Sequence, residues 1–243
     1  MARVSGATAR TSGSKVPRGR AACSYGRVVD LESSRHDLRR WIVSVSVGEG
    51  VGFAIAAGVA ILAMVGGIDD PARFLLIIAA GACEGAALAT GQYLGMRSGR
   101  PLAARWIGAT AIGAAVAWTL GLLPSTLGLD FGSPAVLVLV LIGAVVLLGS
   151  IPVAQWLALA RRHTFRWVPV NMGAWAISIL WTFAPSPFVD EHSPVALIAA
   201  LYVLAGVLMA VTFACLTAPL ARTLFTATRQ RGTARSSPVR RRS

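Results

Sequence analysis

Two carboxylates, Glu49 and Glu84, interrupt apolar stretches of the 243-residue chain. A charged side chain at the centre of a bilayer costs about 2.5–3.5 kcal/mol or more, and such acids mark ion, proton or solute pathways. No Lys or Arg lies in the same stretches to neutralise them. Each acid must therefore be protonated, hydrated or hydrogen-bonded. This predicts either a proton- or cation-binding site or two protonated acids that hold helices together.

Three amides, Gln92, Gln155 and Asn171, are candidate partners in the same membrane layer. For these amides, packing between helices is the simpler interpretation. On an ideal helical rise, Glu49 and Glu84 differ in depth by about 8 Å. The two acids are therefore not expected to form a tight pair.

Four glycines predict how the helices around the acids approach one another. They form Gly48-x-x-x-Gly52 and Gly81-x-x-x-Gly85. Small residues at this spacing let helix backbones come close in a membrane. The acids beside them are therefore expected to face the interior of the bundle and not lipid.

The composition places these residues in a membrane protein. Hydrophobic residues make up 55% of the chain, the mean hydropathy is +0.66, and only 14% of residues are charged, against about 25% in soluble domains. About 20 apolar residues span a bilayer. The sequence predicts an all-α, polytopic bundle of six transmembrane helices, with spans at about 41–65, 74–96, 106–124, 135–159, 167–184 and 195–216.

The transmembrane domain is predicted to cover residues 41–225. The regions on either side of it are rich in Arg and Ser. Residues 1–40 and 226–243 are predicted to be disordered basic tails, with a short amphipathic piece near residues 30–40. The pattern before Val28 also fits translation from a later start.

The basic residues predict the orientation of the chain. Of 23 Lys and Arg residues, 22 lie in the two tails and in the loops after the second and fourth spans, and only Arg73 lies on the other side. Short loops rich in Lys and Arg stay in the cytoplasm. The prediction is a bacterial plasma-membrane protein with both termini in the cytoplasm.

An Arg-Trp pair opens each odd-numbered span, at Trp41, Trp106 and Trp167. Gln92 and Gln155 lie 63 residues apart in the second and fourth spans, whereas Cys215-Leu216-Thr217 occupies the corresponding region of the sixth, which has no Gln. These spacings predict three two-helix hairpins in a parallel repeat. The three tryptophans are predicted to be anchors at the lipid–water interface.

These elements resemble those of a group of uncharacterised, actinobacterial-type multi-pass membrane proteins. The resemblance rests on Gly81 to Gly85, Gln92 to Arg97, and Gln155 to Trp167, with its Gln-Trp-x-x-Leu-x-Arg and Arg-Trp elements. It covers most of residues 40–222. It implies a membrane location and no particular activity.

The sequence contains no motif for several other functions. The Cys and His residues are far apart, which predicts neither a metal site nor a cofactor. The basic tails have almost no aromatic residues, so nucleic-acid binding is not expected. Anionic lipid heads are candidate partners of these tails. There is no P-loop and no nucleophile motif, so the chain is not expected to be an enzyme.

Two functions remain open for this bundle. The first is a non-catalytic membrane module that supports or regulates a partner protein. The alternative is a transporter or channel for a small solute or ion, using Glu49 and Glu84. A uniformly hydrogen-bonded interior would favour the first, whereas a cavity that reaches Glu84 would favour the second.

Overall fold

The computed structural model describes residues 19–190 and 192–226, with side chains described at 35–161, 163–190 and 192–225. These residues form helices and no strands, which confirms the predicted all-α class. The helices are α1 (Gly19–Val65), α2 (Ala72–Gly95), α3 (Ala103–Thr126), α4 (Pro134–Leu159), α5 (Trp167–Ser178) and α6 (Val195–Thr226). Short 3₁₀ segments cover Arg162–Thr164, Ile179–Phe183 and Ser186–Phe188.

Six segments of the described chain are long and apolar enough to cross a membrane: residues 35–65, 72–95, 103–126, 134–159, 167–188 and 195–225. Their outer faces are apolar. On α4, for example, Leu139, Leu141 and Val145 are each 60% or more exposed. A surface of this kind is unfavourable in water and suits a hydrocarbon solvent.

Turn residues set several of the helix boundaries. Gly67 and Gly128 have positive φ in the turns after α1 and α3, a conformation that glycine adopts without steric cost. Pro134 occupies the first turn of α4, where its missing N–H removes no helical hydrogen bond. In the loop before α6, the hydroxyl of Ser193 and the backbone N–H of His192 donate to Asp190 and hold the pKa of its carboxyl below the usual value.

The fifth span is built from two kinds of helix. The α-helix ends at Ser178, and a 3₁₀ segment continues to Phe183. A 3₁₀ segment rises about 2.0 Å per residue and an α-helix about 1.5 Å. Together the two pieces are roughly 28 Å long on those rises, close to the thickness of a bilayer core.

The N-terminal boundary differs from the prediction. Residues 1–40 were expected to be mostly disordered, whereas α1 begins at Gly19. The stretch from 19 to 65 contains no proline, so nothing in it interrupts a helix that continues backward from the first span. The predicted disorder of residues 1–18 and 227–243 lies outside the described residues.

The helices pack in a ring within residues 37–226. Neighbours in sequence contact each other from α2 to α6. A Cβ added at Gly48 would lie 2.7 Å from the carbonyl oxygen of Ala87, so α1 packs closely on α2. A Cβ at Gly206 would lie 2.5 Å from the ring of Phe53, so α6 also packs on α1 and closes the ring.

The glycine pairs expected to bring helices together do so. A Cβ at Gly52 would meet the Cα of Glu84 at 2.9 Å, and one at Gly85 would meet the Cβ of Ala114 at 2.5 Å. Gly81 is covered by the indole of Trp118. The predicted close approach of helices at these glycines is therefore confirmed, and the structure shows that the helices involved are α1, α2 and α3.

Two contacts of the first helix pair recur at the same spacing in the second. Arg40 Nε donates to the carbonyl oxygen of Leu94 at 3.0 Å, and Arg105 donates to that of Leu157 at 3.0 Å. Each Arg precedes its tryptophan, and each Leu follows its glutamine by two residues. In both pairs an Arg thus donates to a carbonyl in the last turn of the neighbouring helix, where backbone carbonyls lack the usual helical partner; the carbonyl of Leu157 also accepts from the backbone N–H of Ala160.

We call the end of the bundle that carries Arg40, Arg97 and Arg105 the basic end. The opposite end, which carries Asp69, Asp70, Asp130 and Asp190, is the acidic end.

Candidate functional site

The tryptophans predicted to be interfacial anchors are buried in the bundle instead. Trp41, Trp106 and Trp167 are 3%, 0% and 0% exposed, and all three pack around Phe225, which is 2% exposed. Their ring centroids lie 6.1, 6.5 and 5.8 Å from that of Phe225. We call these four residues the aromatic cluster. The prediction was wrong because all three indoles lie on the inward face of their helices, where they cannot reach lipid head groups.

Hydrogen bonds between helices form a layer next to the aromatic cluster. Gln155 Nε2 donates to Gln92 Oε1 at 2.8 Å and to Thr110 Oγ1 at 3.1 Å. Gln155 Oε1 accepts from Trp167 Nε1 at 2.9 Å. Two of the predicted amides are thus brought together, by bonds that join α2, α3, α4 and α5. The third, Asn171, is buried but donates to the backbone of its own helix at Trp167.

Trp41 is held in a similar way by the last helix. Its Nε1 donates to Thr217 Oγ1 at 3.2 Å. Thr217 therefore does for Trp41 what Gln155 does for Trp167. Neither Thr217 nor Phe225 was predicted from the sequence to belong to the site. One signal for Thr217 was present: it follows Gly206 by 11 residues, the same spacing as from Gly81 to Gln92.

A cavity of about 360 Å³ lies between the helices on the acidic side of this layer. We call it the axial cavity, because each of the six candidate spans contributes to its wall. The lining residues are Phe53, Glu84, Ala117, Trp118, Gly121, Leu122, Leu147, Ile179, Thr182, Tyr202 and Met209. Pockets that bind small molecules commonly have volumes of about 300–1,000 Å³ and mainly apolar walls.

The axial cavity has neighbours toward both ends of the bundle. A polar depression of about 180 Å³ at the acidic end, lined in part by Asp70, Arg73 and Ser125, shares Leu122 with it. A smaller inner cavity of about 70 Å³ shares Glu84 and Trp118 with it on the other side. The three spaces together follow the bundle from its acidic end to the level of the two acids.

Both predicted acids line the inner cavity. Gly52, which lies against Glu84, is three residues beyond Glu49 on α1. The depth difference is therefore about 4.5 Å on an ideal rise, smaller than the 8 Å expected. Neither acid points to lipid: Glu49 is 0% exposed, and Glu84 is partly buried and faces the two cavities.

The two carboxylates have different surroundings. Trp118 Nε1 donates to Glu84 Oε2 at 2.6 Å, which fixes the direction of that carboxyl group. Both oxygens of Glu49 are buried and accept no hydrogen bond from the described residues, and the nearby Nε1 of Trp175 also lacks a partner. A cavity of about 70 Å³ has room for about two water molecules, each of which takes up about 30 Å³ in the liquid.

Trp118 is the main site residue that the sequence did not single out. It closes over Gly81, bonds to Glu84 and lines both cavities. Its only signal was its position, 12 residues after Trp106, which matches the 12 residues from Trp41 to Phe53.

No protein-family model, curated protein or solved structure matches the chain. Within the described residues, no group of three or more His, Cys, Asp or Glu side chains is placed to hold a metal ion. The geometry of the cavities and acids is therefore the basis for a functional inference.

Proposed function

We propose that the protein is a membrane transporter for a small solute, and that Glu49 and Glu84 carry the proton or monovalent cation that accompanies transport. The axial cavity carries this proposal. It has a volume of about 360 Å³, takes wall residues from every candidate span, and reaches Glu84. An acid inside a membrane bundle that faces a cavity is the usual sign of a proton or solute pathway.

Side chains fill the interior at one end of the bundle and leave cavities at the other, and this difference also supports a transporter. Transporters bind their substrate near the middle of the membrane and expose the site to one side at a time. Here the cavities extend from the acids toward the acidic end. Toward the basic end, the rings of the aromatic cluster and the bonds of Gln155 fill the interior.

The proposed location is the plasma membrane of a bacterium, with the basic end and both termini in the cytoplasm. The support is the charge distribution, with 22 of 23 basic residues on one side. In this orientation the axial cavity faces the outside of the cell. The actinobacterial-type proteins that the chain resembles fit this location.

The proposed architecture is three parallel hairpins around an approximate threefold axis. The matching bonds of Arg40 and Arg105 support it. Residues of the axial cavity support it as well, because three of them follow an Arg-Trp tryptophan by 12 residues: Phe53, Trp118 and Ile179. The two acids have no counterparts in the other hairpins, so the site would belong to one hairpin of a pseudo-symmetric frame.

A second candidate is the non-catalytic module that supports or regulates a partner membrane protein. The observation in its favour is the hydrogen-bonded layer around Gln92, Gln155 and Thr110, which holds several helices in one arrangement. On this reading the acids would strengthen helix packing and no solute would cross. Neither candidate is catalytic.

Flux measurements distinguish these two functions. Purified protein in liposomes is given a pH gradient with an entrapped pH-sensitive dye and, separately, a gradient of radioactive rubidium. We expect proton or rubidium flux above that of protein-free liposomes, and at least a tenfold loss of that flux in Glu84→Gln. Cys83→Ala is the matched control, because Cys83 is the adjacent residue on α2 but is exposed on the outside of the bundle.

The opposite results have a clear meaning. Equal flux with and without protein under both gradients would reject the transporter and favour the partner module. Flux that Glu84→Gln leaves unchanged would reject the role of that acid.

A further inference from the structure

We infer that the axial cavity binds a hydrophobic organic monocation, such as an aralkyl amine or quaternary ammonium compound, with its charged nitrogen beside Glu84. This inference rests on the proposed function and names the substrate class of the same site.

The charge of the cavity wall is the first reason. Among the described residues that line the cavity, Glu84 is the only Asp, Glu, Lys, Arg or His. Trp118 donates to Oε2 of Glu84, whereas Oε1 takes no hydrogen bond from the described residues. One carboxylate oxygen is thus fixed and the other is available to a ligand. In an apolar environment a carboxylate favours a cationic partner strongly and repels an anion.

The aromatic residues of the wall are the second reason. Phe53, Trp118 and Tyr202 lie on α1, α3 and α6, so aromatic rings approach the cavity from three helices. The face of an aromatic ring attracts a cation, and this attraction is stronger where water is excluded. An ammonium group between such rings and a carboxylate gains from both contacts.

The other residues of the cavity wall determine whether the uncharged part of the ligand is polar or apolar. In the part of the wall that the structure describes, only Thr182 and the hydroxyl of Tyr202 offer further side-chain hydrogen-bonding groups; Leu122, Leu147 and Met209 are apolar. A sugar or peptide would leave most of its polar groups without partners, at a cost for each. A hydrocarbon group has no polar atoms, so it loses no hydrogen bonds when it lies against such a wall. A volume of about 360 Å³ is in the lower part of the range for drug-sized ligands.

The position of Glu49 explains why the ligand should carry a single charge. Glu49 lines the inner cavity and not the axial cavity. The inner cavity, at about 70 Å³, holds about two waters and is too small for an organic group. A second positive charge on the ligand would therefore face the apolar wall without a carboxylate.

The test uses three probes of similar shape that differ in charge. They are benzyltrimethylammonium, its neutral isostere neopentylbenzene, and the anion 3-phenylpropanoate. Binding to the full chain in lipid nanodiscs is measured by calorimetry, with empty nanodiscs as the blank for partition into lipid. We expect the cation to bind at least 30-fold more tightly than the neutral isostere, which is about 2 kcal/mol at 1.4 kcal/mol per tenfold, and the anion not to bind.

Substitutions at two positions, Glu84 and Phe53, locate the binding. Glu84→Gln should lower the affinity for the cation at least 30-fold and leave that of the neutral isostere unchanged, which also shows that the variant is folded. Glu84→Asp should retain most of the preference for the cation. Phe53→Leu should weaken cation binding about fivefold, within the range of a cation–π contact. Its matched control is Phe183→Leu, because Phe183 is 65% exposed and does not line the cavity.

The outcomes separate this inference from the proposed function. Equal or tighter binding of the neutral isostere or the anion would overturn the substrate class, while a solute-binding cavity would remain. Cation binding that Glu84→Gln does not weaken would overturn the assigned position of the charge. If none of the three probes binds, the inference is overturned; if proton and rubidium flux are also absent, the transporter is rejected with it.

Discussion

The basic and acidic halves of the bundle are filled in opposite ways. In the basic half, Trp41, Trp106, Trp167 and Phe225 share one apolar centre, and Gln155 bonds to three other side chains. In the acidic half, the same six spans leave about 360 Å³ unfilled. The same spans form both halves, and only the fifth changes from an α-helix to a 3₁₀ helix, after Ser178; the difference therefore arises mainly from side-chain size and polarity at each level.

This contrast indicates that the two halves of the bundle contribute differently to stability and to ligand binding. Large rings that pack edge to face stabilise a helix assembly through both contact area and ring geometry. Apolar walls around an unfilled space contribute less, because dispersion contacts are missing across the gap. The basic half should therefore supply most of the stability, and the acidic half the binding. Three experiments test this, in decreasing order of expected effect.

The largest effect is expected from Phe225→Ala, at the centre of the aromatic cluster. Truncation of a fully buried aromatic side chain costs about 3–5 kcal/mol. Phe183→Ala changes the same atoms at a position that is 65% exposed and should cost less than about 0.5 kcal/mol. Unfolding of both variants in mixed micelles, followed by circular dichroism, gives the two values. Similar values would mean that the aromatic cluster is not a centre of stability.

An intermediate effect is expected from Gly113→Ala on α3. The new Cβ would lie 2.8 Å from the Cα of Ile151 and 2.9 Å from the carbonyl oxygen of Ser150, so the backbones of α3 and α4 must separate. We expect a loss of about 1–3 kcal/mol, as for overpacked cores. The control is Gly108→Ala in the same helix, where the new Cβ would have no described neighbour within 4 Å other than the backbone of its own helix.

The control should gain about 0.5–1 kcal/mol, because Ala favours a helix over Gly. The same unfolding assay compares the two glycines. If Gly113→Ala were as stable as Gly108→Ala, the close approach of α3 and α4 would be wrong.

The smallest effect is expected for the bond between Gln92 and Gln155. Hydrogen bonds between helices in a membrane contribute about 0.6 kcal/mol on average and up to about 1.7. Because each amide has other neighbours, a double-mutant cycle with Gln92→Leu and Gln155→Leu is needed to isolate the pair. We expect a coupling of about 0.5–1.5 kcal/mol. Additive losses would show that the 2.8 Å contact contributes nothing on its own.

The helices were predictable because hydrophobicity extends over whole spans. All six spans lie close to their predicted positions, and only α1 and α6 continue well beyond them. The meeting of the glycine faces was predictable too, since glycines four residues apart share one side of a helix. Proximity of Gln92 to Gln155 could be expected in the same way, because both occupy the same place near the basic end.

The tryptophans were misplaced because a rule about residue type was applied without the helix face. Trp41, Val45 and Glu49 follow one another at intervals of four and are all buried. Glu49 was predicted to face the interior, so the same stripe already contained Trp41. The interfacial preference of Trp describes depth in the membrane, and it says nothing about which way the ring points.

The cavity could not have been predicted, since an unfilled volume depends on how all its walls combine. Glu84 and Trp118 lie 34 positions apart in the chain, yet their side chains bond at 2.6 Å. Nothing in either local sequence indicates this partner. The depth of Glu84 relative to Glu49 also depends on where α1 and α2 come into contact. In the structure Gly52 of α1 lies against Glu84 of α2, a contact that neither helix sequence specifies by itself.

The bond between Trp41 and Thr217 has a consequence for how the protein is made. These residues are 176 positions apart, and Phe225, which the indole of Trp41 stacks on, comes later still. At about 5–20 residues per second, Trp41 leaves the ribosome roughly 10 to 35 s before Thr217. During that interval the first helix has no final neighbour on one side. The ring of helices can therefore close only after the last one is synthesised.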